Sequence, residues 1–170
     1  AEHEDGYFRD QSVFGDGISI EDTMGLLVRY DSGAIMTYSL NAYSPWEGLR
    51  IAITGDQGRL ELLVQESTYV NGQGVRSEEG ITKYKQLRIC PHFSEPYEID
   101  IPESEGSHGG ADPELAADLF GPPRPDPLKR AASHVDGAMS ILTGIAGNIS
   151  LASGDPVFPQ KLVHWPVNLR

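Results

Sequence analysis

Cysteine is almost missing. Cys90 stands alone in 170 residues, so no disulfide can form within the chain, and the common structural zinc sites built on cysteine sets are excluded. A lone thiol points to a reducing compartment, and the expected location is cytoplasmic. Basic side chains are also scarce: 13 Lys+Arg face 25 Asp+Glu, a formal charge of −12 at pH 7. Such a surface repels phosphate backbones and anionic bilayers, which argues against nucleic acid or a membrane as partner. No apolar run approaches the roughly 20 residues that cross a bilayer. The dinucleotide fingerprint G-x-G-x-x-G is lacking, since Gly15-Asp16-Gly17 and Gly72-Gln73-Gly74 have no third glycine and sit in no βαβ unit. There is no phosphate-loop pattern and no G-x-S-x-G. His3, His92, His108, His134 and His164 are too scattered to form a local metal motif. The start, Ala1-Glu2-His3, carries neither a signal peptide nor an initiator Met, as in a processed protein or a piece of a larger one.

What remains is a globular composition, with 39% hydrophobic and 22% charged residues, which is enough to build a core. Residues 1 to about 107 are strand-rich. Met24–Tyr30 and Ala34–Tyr43 flank Asp31-Ser32-Gly33, the signature of a hairpin. Leu49, Ile51 and Ile53 alternate with Arg50, Ala52 and Thr54; after Gly55-Asp56-Gln57-Gly58, Leu60, Leu62 and Val64 alternate with Arg59 and Glu61, with Leu63 on the polar side. That spacing predicts a second hairpin with one face in a core. Ile81–Cys90 and Tyr97–Ile101 add weaker strands. Several strands without long helices between them predict an antiparallel sheet and an α+β fold.

After residue 111 the period becomes helical. Asp112-Pro113-Glu114 reads as a helix start with a capping carboxylate and proline at the first helical position, and Gly121-Pro122-Pro123 ends that helix. Asp126-Pro127 repeats the start signal. Leu128, Ala131, Ala132, Val135, Ala138, Met139, Leu142, Ile145, Ala146 and Ile149 then continue at spacings of three and four, predicting a long amphipathic helix, broken early or continuous, that ends near Gly154. Gly137, Gly144 and Gly147 each cost a helix about 1 kcal/mol against alanine. Packing must offset that cost, so the helix is expected to lie close against the sheet.

Three clusters are candidate sites. Glu2 to Asp10 mixes acids, His3 and aromatics; residues 2–5 read as a solvated terminus, whereas Tyr7, Phe8, Arg9 and Asp10 suit either a cleft wall or a structural ion pair. Ser107 to Pro113 places His108 and two glycines before a helix start, where free N–H groups favour an anion or a hydroxyl oxygen. The plainer alternative is a connector whose histidine is incidental. His108, with Arg9 and Asp10 on the same wall, is the candidate substrate contact. Ser44-Pro45-Trp46-Glu47-Gly48 suits a sugar platform or a protein contact, but reads more simply as a turn whose Trp46 plugs the sheet edge. Asn148-Ile149-Ser150, formally a glycosylation acceptor, falls in the apolar helix and is discounted.

Taken in order, four segments resemble one family. They are Tyr30-Asp31-Ser32-Gly33-Ala34 through Ser39-Leu40-Asn41-Ala42-Tyr43; Pro45-Trp46-Glu47-Gly48 with Gly55-Asp56-Gln57-Gly58-Arg59-Leu60-Glu61; His108-Gly109-Gly110-Ala111-Asp112-Pro113; and Ala138 through Ala146. The set is similar to the C-terminal domain of the glucose–fructose oxidoreductase, inositol dehydrogenase and rhizopine-catabolism (Gfo/Idh/MocA) family. The resemblance implies an α/β sandwich, an open and mainly antiparallel sheet with helices on one face. Residues 1–170 would form one substrate-side and oligomerisation domain. A Rossmann domain holding NAD or NADP, absent from this chain, would complete the enzyme. The implied chemistry is hydride exchange with a sugar, cyclitol or related polyol, and a few relatives use the redox step to cleave glycosides. The implied partners are the Rossmann domain, a carbohydrate-like substrate and further copies of the chain through the sheet face. The family's catalytic lysine is missing, and no D-x-x-x-H spacing occurs in residues 1 to 50, so no catalytic, cofactor-binding or metal residue is assigned here and the isolated chain is expected to be inactive. The alternative is a non-catalytic binding or scaffold module that reuses the fold.

Overall fold

The computed structural model describes residues 2–6, 12, 14–67, 84–103 and 110–163. The chain divides into two units, Ala1–Asp100 and Ile101–Arg170, close to the expected change of period near residue 107.

The first unit is built from antiparallel strands after a single helical turn, α1 (Glu2–Asp5), whose His3 and Glu4 are exposed. Strands β1 (Thr23–Arg29) and β2 (Ile35–Asn41) form the first expected hairpin. Its turn is closed by Gly33 N–H on the Tyr30 carbonyl and Tyr30 N–H on the Ala34 carbonyl, both at 2.9 Å. The register pairs Met24 with Leu40, Leu26 with Tyr38 and Val28 with Met36, so these share one face. Tyr30 Oη donates to Met36 Sδ at 3.5 Å.

Strands β3 (Glu47–Thr54), β4 (Gly58–Ser67), β5 (Tyr84–Pro91) and β6 (Tyr97–Ile99) form a second sheet in sequence order. All its ladders are antiparallel, as expected for an α+β fold. The strands are therefore shared between a two-stranded and a four-stranded sheet, a partition that hydrophobic alternation does not encode because it carries no pairing information. β6 is shorter than the expected Tyr97–Ile101. The first part of the expected Ile81–Cys90 strand, residues 81–83, lies outside the described residues.

The second unit carries α2 (Ala111–Phe120), α3 (His134–Ser153) and a 3-10 turn at Pro159–Lys161. Both helix starts differ from expectation. α2 begins after Gly110, which has φ 78°. Asp112 and Glu114 thus lie inside the first turn, where acids suit the positive helix end, and Pro113 is tolerated because the first N–H groups have no intrahelical acceptor. The Asp126-Pro127 signal does not start α3. Asp126 Oδ2 instead accepts the Ala131 N–H at 2.8 Å, and Lys129 takes φ 52°, so the chain turns before any helix forms. The true cap is Ser133: its hydroxyl accepts the Asp136 N–H at 3.4 Å, while Asp136 Oδ2 accepts the Ser133 N–H at 2.7 Å. This reciprocal capping box was present in the sequence as Ser-x-x-Asp.

Both helix ends fall as expected, with Gly121 N–H on the Ala117 carbonyl and Gly154 N–H on the Ser150 carbonyl. Among the described residues only Leu142 and Ala146, one turn apart on α3, are buried. A Cβ added at Gly137 or Gly144 would meet no atom within 4 Å outside the helix's own backbone. α3 is also long and apolar enough, by length and composition alone, to cross a membrane. That corrects the expectation that no run approaches such a length. Glycine, alanine and hydroxyl residues keep the helix nearly uncharged without making it a continuous apolar run, and the core helix of a soluble protein has the same character.

Candidate functional site

Directly paired residues of an antiparallel ladder share a face, so the register of the four-stranded sheet sorts its chemistry. One face carries the row Ile53–Leu60–Ile89–Tyr97, then Ile51–Leu62–Leu87–Ile99, then Leu49–Val64–Lys85. Apart from Lys85 it is aliphatic or aromatic. Its outer members stay open: Leu49 is 44% exposed, Ile53 60% and Tyr97 54%. Leaving an apolar surface of this kind in water forfeits about 25 cal/mol per Å² of burial.

The opposite face is polar. Ala52–Glu61–Arg88–Glu98 form one row, Thr54–Arg59–Cys90 the next, and Arg50–Leu63–Gln86 a third. Arg59 Nε donates to Glu61 Oε1 at 2.6 Å and Arg59 Nη1 to Thr54 Oγ1 at 3.2 Å, while Gln86 Nε2 donates to Glu98 Oε1. The Arg59 hydrogen bond, aided by the Arg59 and Arg88 charges and opposed by desolvation, holds the Glu61 carboxyl below its usual range. The side chains on this bond are 41–47% exposed, so it orders the face more than it stabilises the fold.

At one end of the polar face lies the Trp46 corner. Glu47 pairs with Ser67 but Gly48 pairs with Gln65, which leaves Glu66 as the extra residue of a β-bulge. Trp46 is half-buried there. Its Nε1 donates to Gln65 Oε1 at 3.2 Å, its backbone N–H donates to Ser44 Oγ at 3.2 Å, and the Arg50 guanidinium carbon sits 5.0 Å from its ring centroid. The indole is thus engaged at its edge and on a face by its own chain. These contacts fit the plainer expectation of a turn residue anchored at the sheet edge. Phe14 stacks on Tyr43 nearby in sequence, with ring centroids 5.1 Å apart.

Arg9, Asp10 and His108, the sequence-derived substrate contacts, all lie outside the described residues, as do Tyr7 and Phe8. Of the His108 segment, Gly110 to Pro113 is described, and it forms the first turn of α2 with its acids near the helix N-terminus. Further along, Arg124 ties back to α2 through Asp118 and Glu114, with Nη1 to Glu114 Oε2 at 3.1 Å. The Asp118 bond first, then that to Glu114, raises the guanidinium above its ordinary pKa. Asp126 is lowered by backbone N–H groups, that of Ala131 foremost, and Asp136 by the Ser133 backbone and hydroxyl. These carboxylates fasten loops and a helix start.

Among the described residues no group of three or more His, Cys, Asp or Glu side chains converges to hold a metal ion. Every ladder among the described residues is antiparallel, so the strand–glycine turn–helix–parallel strand unit of a Rossmann site is not found among them. Sequence reasoning missed Arg50, Gln65 and the capping pair Ser133–Asp136. Gln65 had no local signal, since it meets Trp46 across 19 positions, whereas Arg50 stands four residues from Trp46 and Ser133-x-x-Asp136 is a local pattern.

Comparison with known proteins agrees with this architecture. The chain matches the oxidoreductase family, C-terminal alpha/beta domain, over residues 1–157. It is 34% identical over 162 residues to a protein of Bacillus subtilis (strain 168) named "Putative oxidoreductase YteT", with 92% of this chain covered. The chain spans only 35% of that relative's length. No solved structure matches it. With the match running through both units, from the strand-rich half to beyond the end of α3, this chain belongs to the Gfo/Idh/MocA oxidoreductase family as a C-terminal alpha/beta domain.

Proposed function

We propose that this chain is the substrate-side and oligomerisation domain of an NAD- or NADP-dependent oxidoreductase acting on a sugar, cyclitol or related polyol. The observation that carries the reading is the family match through both units, coupled with a four-stranded sheet that has one apolar and one polar face. The length of the Bacillus relative, named as an oxidoreductase, leaves room for a separate cofactor-binding domain. Such a domain would hold the nicotinamide cofactor and the catalytic lysine, and would work in the cytoplasm. This chain then contributes the wall that selects and orients the substrate, with His108 as donor and acceptor to hydroxyl groups and Arg9 and Asp10 beside it. Its apolar sheet face contributes the contact between copies.

The test joins the chain to its full-length protein. Purified protein is incubated with NAD or NADP and a panel of inositols and hexoses, or with NADH or NADPH and their oxidised forms, and nicotinamide reduction or oxidation respectively is followed by absorbance. Turnover of at least one polyol with either cofactor is the expected result. A full-length protein that binds neither cofactor and reduces none would overturn the redox reading in favour of a binding module.

A further inference from the structure

We draw no further inference here: the strongest candidate, the aliphatic face of the four-stranded sheet around Ile51, Leu62, Leu87 and Ile99, belongs to the assembly surface already proposed, and nothing in the structure shows what covers it.

Discussion

Replacing Gly48 with alanine should disrupt the bulged end of the β3–β4 hairpin. Gly48 has φ 150°, and an added Cβ would stand 2.1 Å from the Val64 carbonyl oxygen, 3.0 Å from Gln65 Cα and 3.0 Å from the Trp46 ring. Two of these neighbours are backbone, which cannot swing aside, and the third is an indole engaged by Gln65 and Arg50. A non-glycine residue in a sparsely populated backbone region costs about 1–3 kcal/mol. Forcing extra volume into a filled position adds about 1–3 kcal/mol. The combined loss, about 2–6 kcal/mol, is a large part of the stability of an ordinary domain. With a urea slope near 2 kcal/mol per molar, the unfolding midpoint should fall by about 1–3 M. Circular dichroism in urea reads the midpoint, and the fluorescence of Trp46 should shift as its Gln65 and Arg50 contacts loosen. Gly144→Ala is the control. Its added Cβ meets nothing outside its own helix, so the change should stabilise α3 by about 1 kcal/mol and raise the midpoint by about 0.5 M. An unchanged or higher midpoint for Gly48→Ala would refute the steric argument, and so would equal shifts in the two variants.

Lowering the pH should weaken the fold only slightly through Glu61, Asp126 and Asp136, because solvent screens these carboxylates. Each carboxyl is depressed in the folded state, so its contribution is complete above its ordinary pKa of 4.5 or 3.8 and is lost as pH falls through the lower folded value; Asp136→Asn should flatten that dependence in thermal melts taken across the acid range. Ser133→Ala removes the hydroxyl half of the α3 cap and should cost about 1 kcal/mol, read as a lower unfolding midpoint. Self-association should tighten as salt is added, because screening a charge of −12 reduces repulsion while apolar contact persists; light scattering that shows dissociation with salt would point to the polar face instead. The isolated chain should show no micromolar affinity for NAD or NADP by calorimetry, and binding would contradict the assignment of the cofactor to a separate domain. In the full-length protein, His108→Ala should lower kcat/KM for the polyol with cofactor affinity nearly unchanged; a wild-type kcat/KM would make its segment a connector only.

Much of the fold is set locally and can be read from the chain. Asp31-Ser32-Gly33 between two β-rich runs is a local turn signal, and the hairpin turns there; Gly121 and Gly154 end helices through bonds to carbonyls four residues back. The alternation from Leu49 to Ile53 and from Leu60 to Val64 determines that one face of this hairpin is aliphatic, and the register agrees. What the sequence could not decide is which competing local signal wins. Asp126-Pro127 and Ser133-x-x-Asp136 are both helix starts on paper. The first lost because its carboxylate closes a turn on Ala131 while Lys129 leaves the helical region. Nor could the sequence decide pairings between distant positions. The division into two sheets, the Glu66 bulge, and the meeting of Trp46 with Gln65 all depend on register, and register is a property of two strands at once. Alternation within a single strand specifies the face of each side chain; only the tertiary structure selects the neighbour across from it.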